Sequence, residues 1–136
     1  MNPSESGKLA QRALALVAVL FSIATVIAGA RVLAGSDPGY TVFRPLLVFN
    51  TAMGIAYVVA GVVAWRSARQ GTYAAAVIFT LNCVALAAIG YLSIAANAVA
   101  GESLRAMTLR TVVWLVVLVG LAWLSRRNSR SGRQDA

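Results

Sequence analysis

Four apolar runs, separated by short polar breaks, account for most of the chain: about residues 13–34, 45–65, 73–98 and 108–124. Each is close to the ~20 residues needed to cross a hydrocarbon core of ~30 Å. None alternates apolar and polar residues as a half-buried strand would. Lipid offers the backbone no hydrogen bonds, so each run predicts an α-helix. The expected fold is all-α, an integral membrane four-helix bundle occupying residues 1–136 as a single domain with short basic tails.

Small and polar residues fall on stripes at 100° per residue. The first helix gathers Ala15, Ala18, Ser22, Thr25 and Gly29, the second Asn50, Gly54, Tyr57, Gly61 and Ala64, and the third Asn82, Gly90, Ser93 and Asn97. The fourth has no comparable polar stripe, only Thr108 and Thr111 at its mouth. One reading is packing, in which small residues let backbones approach and Ser, Thr and Asn bond across helices. The other is a polar cavity, open outward, lined by Asn50, Tyr57, Asn82, Tyr91 and Asn97.

Composition agrees with lipid as the solvent. The chain is 60% hydrophobic and 12% charged, about half the charged fraction of a soluble domain. Its net charge of +8 sits at helix ends and tails rather than on one helix face, so no nucleic-acid partner is expected. Lys8, Arg12, Arg66, Arg69, Arg126, Arg127, Arg130 and Arg133 lie on one side of the predicted topology, and only Arg31, Arg44, Arg105 and Arg110 on the other. The positive-inside rule then places both termini in the cytoplasm. Trp65 and Trp123 mark the inner interface on this scheme, and Tyr40, Phe43 and Trp114 the outer one. Short loops and richness in Ala, Val and Arg point to a bacterial inner membrane.

The first run also shares features with a signal peptide, having Lys8 and Arg12 before it and Ala28-Gly29-Ala30 at its end. It exceeds the usual ~7–15 apolar residues, which favours a retained span. A second pattern suggests a hairpin repeat. Gly35-Ser36-Asp37 precedes Arg44, and Gly101-Glu102 precedes Arg110, each acid seven or eight residues before its arginine. Two hairpins related by an axis along the membrane normal would produce this, as would coincidence in a sequence of low complexity.

Absent residues exclude several chemistries. With no histidine, bis-histidine haem and His-based zinc, copper or di-iron sites are not available. Cys83 is the single cysteine, which removes any intramolecular disulfide chemistry and reads as a small hydrophobe. No acid lies inside a span, so the buried glutamate on which small multidrug exporters depend is missing. No intrinsic cofactor is expected, leaving bound lipid or quinone. The outer charges, Arg31, Asp37 and Arg44 in one hairpin and Glu102, Arg105 and Arg110 in the other, are expected to form ion pairs through Asp37 and Glu102. The surplus of arginine would cap the bundle or meet an anionic headgroup, a quinone oxygen or a carboxylate. Candidate ligand-binding residues are therefore Arg31, Arg44, Asn50, Tyr57, Asn82, Tyr91, Asn97, Arg105 and Arg110.

Gly29-Ala30-Arg31-Val32-Leu33-Ala34-Gly35 at the end of the first helix, with Gly54 and Gly61 before Arg66 and Arg69 in the second, resembles the DoxX-like proteins, small four-helix bacterial membrane proteins. The likeness covers about the first two thirds of the chain. That family tends to carry an acid early in its second helix, where this chain has Asn50. The resemblance implies association with quinone-linked oxidoreductases or redox-stress systems, as a subunit rather than the redox carrier. The expected function is thus a non-enzymatic accessory subunit that binds a larger membrane complex, lipid or quinone. The alternative is an oligomeric transporter or channel whose arginines recruit an anionic solute. An enzyme acting on lipid or an isoprenoid ranks behind both, since no nucleophile or general base is evident. Partners are then the bilayer with either other membrane subunits or further copies of the chain.

Overall fold

The computed structural model describes residues 3–96 and 99–134, with side chains described for 5–96, 99–127 and 129. Four helices run through it: α1 (Pro3–Leu33), α2 (Arg44–Arg66), α3 (Ala68–Ala96) and α4 (Gly101–Gln134). All four contain stretches long and apolar enough to cross a membrane, so the protein is a multi-pass membrane protein whose outer surface meets the bilayer. The helices are longer than the apolar runs. α1 and α4, with 31 and 34 residues, reach about 46 and 51 Å at 1.5 Å per residue. Hydropathy locates only the lipid-embedded part, whereas the backbone ladder continues into the headgroup zone.

The helices form an antiparallel bundle in which each packs on its sequence neighbours, and α4 returns to α1 along the sparsest of the four seams. The start of α1, the end of α4 and the α2–α3 junction share one end of the bundle, with Lys8, Arg12, Arg66, Arg69, Arg126 and Arg127. Two aromatic–arginine contacts lie at this basic end, Arg12 over Trp65 at 5.7 Å and Arg127 over Trp123 at 5.3 Å.

The α1–α2 seam is built on small residues. Cβ atoms added at Gly54 and Gly61 would strike Val26 and Val19 of α1, and one at Gly29 would strike Thr51 of α2. The stripes expected on α1 and α2 are both buried. Most of the Ser and Thr hydroxyls, however, bond within their own helix and not across helices as expected. Thr51, Thr72, Thr80, Thr108 and Thr111 each donate to the carbonyl four residues earlier, as does Ser22 to Ala18. In lipid the nearest acceptor is the residue's own helix, which is always in reach.

Two junctions show how the chain turns without exposing backbone groups. At Ser67 alone, α2 gives way to α3. Its N–H donates to Val63 O at 3.0 Å while its own carbonyl accepts from Gly71 at 2.8 Å. Gln11 of α1 reaches over and donates to the terminal α2 carbonyls of Ala64 at 2.8 Å and Trp65 at 3.3 Å, groups that a helix end leaves without partners. At the opposite end, α1 stops in a Schellman motif. Gly35 takes φ 101°, Ser36 N–H donates to Arg31 O and Gly35 N–H to Val32 O. Asp37 accepts from Gly39 N–H, and Gly39 has φ 79°. The glycine–acid–arginine pattern therefore differs in role between the hairpins. Gly35 and Asp37 shape a loop and Arg44 opens α2, whereas Gly101 and Glu102 already belong to α4 and Arg110 lies in its third turn.

Substitution tests follow from these contacts. A Cβ at Gly71 would sit 2.6 Å from Ala64 Cα, so Gly71→Val must part α2 from α3. It should cost at least about 1–3 kcal/mol, read as a lower unfolding midpoint in detergent. Gly90 has nothing within 4 Å of such a Cβ, and Gly90→Ala should leave the midpoint unchanged or raised. Gln11→Leu should cost about 1 kcal/mol by the same measurement, through the lost α2 cap.

Candidate functional site

At the end opposite the basic cluster, α1, the α1–α2 loop, α2 and α4 enclose a cleft of about 100 Å³, room for several water molecules. Its position follows from unequal packing. On the α2–α3–α4 side, Leu46, Ile89, Val99 and Met107 form a tight apolar cluster. On the α1 side the helix ends early at Gly35, and the ten-residue connection swings Tyr40, Val42 and Phe43 over the gap.

The polar groups of the cleft come from three helices. Thr25 descends from α1, Asn50 from α2, and Ser103 and Arg110 from α4. Arg110 and Ser103 are seven residues apart, two helical turns on one face. Asn50 is only 8% exposed, and its Oδ1 has no hydrogen-bond partner; Arg110 Nε is likewise buried without an acceptor. Among the described residues, neither acid at this end pairs with it. Asp37 is held in its own turn and Glu102 is exposed in the first turn of α4. The expected ion pairs through Asp37 and Glu102 are thus not formed, because the Asx turn fixes Asp37 in the loop and Glu102 points away from the bundle axis.

Beneath the cleft lies a buried polar layer. Tyr57, fully buried on α2, donates its hydroxyl to Asn82 Oδ1 of α3 at 2.5 Å. Its ring centroid stands 5.1 Å from that of Trp114. Trp114 is 1% exposed, so it is a core residue and not the interfacial marker expected from its place near a helix end. The extra turns of α4 before residue 108 move Trp114 inward to the level of Tyr57. Asn82 Nδ2 and Trp114 Nε1 also lack partners. Four unpartnered polar atoms therefore lie on three helices, with Arg110 and Trp114 one turn apart. Below this layer the interior is apolar, made of Ala15, Ala18, Ala60, Ala64, Val117 and Leu121.

Of the sequence candidates, the structure brings Asn50 and Arg110 together in the cleft and Tyr57 with Asn82 under it. Arg44 and Arg105 line separate surface grooves, and Arg31 is exposed in the last turn of α1. Tyr91, 72% exposed, faces the surroundings instead of the expected cavity. Asn97 lies outside the described residues. Thr25, Ser103, Tyr40 and Trp114 belong to the site region and were not among the candidates. Thr25 alone had a signal, its place on the α1 stripe. No three acidic, cysteine or histidine side chains gather as a metal site among the described residues; the site offers hydrogen-bond donors and one cation.

The Tyr57–Asn82 bond predicts a measurable coupling. Tyr57→Phe leaves the buried Asn82 oxygen without a donor and should cost about 1–3 kcal/mol. Adding Asn82→Leu should recover part of the loss, and a double-mutant cycle by chemical unfolding in detergent would show it. Additive losses would mean that the two side chains do not depend on each other.

Comparisons with family models, curated proteins and solved structures find no match to this chain.

Proposed function

We propose that this chain is a small non-enzymatic protein of a bacterial plasma membrane, with both termini in the cytoplasm, that holds an amphipathic ligand such as lipid or quinone in the cleft. We further propose that it serves as an accessory subunit of a larger membrane complex, with the link to redox systems resting on the resemblance to DoxX-like proteins. The observation that supports ligand holding is the cleft itself: a polar floor of Asn50 and Arg110 under apolar walls, with buried atoms that no described residue satisfies. An unpaired buried polar group costs about 1–3 kcal/mol, and a charged one more. A bound molecule or ordered water removes that cost. Sites of this kind, mostly apolar with a few convergent polar groups, suit small ligands.

The opposing reading is conduction or transport of an anion. The apolar layer of Ala, Val and Leu below Tyr57 and Trp114 supports binding over passage, because a solute crossing a single chain would meet a closely packed apolar core there. Transport would then need an oligomer with a path between copies.

Purification from native membranes in mild detergent, followed by native mass spectrometry, separates the two. The accessory reading expects other chains and a retained lipid or quinone, with the small molecule lost in Asn50→Leu. A homo-oligomer that carries anions across liposomes would overturn it.

A further inference from the structure

The cleft contains one formal charge. Arg110 lines it, whereas Asp37 and Glu102 do not. Around that guanidinium stand Thr25, Asn50 and Ser103, each more than nine-tenths buried. The Thr25 and Ser103 hydroxyls can donate. Asn50 can do so through its amide NH₂. The polar set is thus a cation ringed by groups able to donate hydrogen bonds, the complement of an oxyanion.

Charge number and shape narrow the class. A neutral ligand such as a quinone would leave the guanidinium uncompensated in a low-dielectric setting, and a dianion would bring an unmatched negative charge into it. One negative charge balances one arginine. The volume of about 100 Å³ accommodates a small headgroup. The remaining walls are apolar, from Val32, Phe43, Leu46 and Leu47, with Ala28 and Ala106 on the two helices whose seam is the loosest in the bundle. A tail that leaves the cleft towards lipid would meet least obstruction at these small side chains between α1 and α4.

We propose that the cleft binds a singly charged oxyanion carried on an apolar tail, a fatty carboxylate or a phosphodiester lipid, with Arg110 as counter-charge, Asn50, Thr25 and Ser103 as hydrogen-bond partners, and the tail leaving between α1 and α4. This deepens the reading of the cleft as a ligand site and rests on it.

Trp114 lies one turn from Arg110 and provides the reporter. In full-length protein carrying Trp65→Phe and Trp123→Phe it is the sole tryptophan. Its fluorescence in neutral detergent is titrated separately with oleate, phosphatidylglycerol, a short-chain ubiquinone and inorganic phosphate. Saturable binding of oleate or phosphatidylglycerol is expected, and whichever binds tighter identifies the anion's source. Arg110→Gln should weaken it by about tenfold or more, and Arg110→Lys, which keeps the charge and tests for misfolding, by less. Arg105→Gln, on a separate groove, should leave it unchanged. Equal affinity in folded Arg110→Gln protein would overturn the proposal, as would equally tight binding of inorganic phosphate, which has no tail. Binding of ubiquinone without either amphiphilic anion overturns the oxyanion assignment and keeps the ligand cleft. Binding of none of the probes overturns both.

Discussion

Every feature of this protein follows from a backbone that must satisfy itself without water. In lipid the only hydrogen-bond partners are those the chain brings, and the structure meets that demand locally wherever it can. Helices extend past the apolar runs, hydroxyls turn back to the preceding turn, and Ser67 serves two helix ends at once. Gln11 crosses from one helix to cap another. Once the backbone is closed, helix association cannot draw on expulsion of water, because lipid tails are as apolar as leucine. It depends on close contact instead. Gly29, Gly54, Gly61 and Gly71 are the places where that contact is closest.

Against this economy, the unpartnered atoms of Asn50, Asn82, Arg110 and Trp114 stand out. They are not scattered. Two border the cleft and two lie in the layer below it, around the Tyr57–Asn82 bond. A chain that satisfies most of its threonines and serines within single helices, yet leaves these four atoms open in one half of the bundle, concentrates its polar cost at one place. That concentration is the physical basis for reading the cleft end as a place of ligand contact and the basic end as a topological anchor.

The two hairpins show how similar sequence patterns diverge. Both place a glycine, an acid and an arginine near a turn. In the first, the Schellman glycine and the Asx turn produce a ten-residue loop that roofs the cleft. In the second the same residue types are absorbed into α4, whose earlier start carries Arg110 and Trp114 deeper into the bundle. The difference makes the molecule asymmetric across its hairpins, and the cleft lies on the side with the longer loop.

The spans, the all-α class, the segregation of basic residues and the small-residue faces of α1 and α2 are legible in the sequence. They depend on local properties: run length, charge position and side-chain size at helical spacing. The burial of Trp114, the exposure of Tyr91, the Tyr57–Asn82 pair and the union of Thr25, Asn50, Ser103 and Arg110 are not. In a membrane bundle the core face and the lipid face are both apolar, so hydropathy carries little record of how each helix is rotated about its axis. Packing between helices decides that rotation, and with it which polar side chains meet.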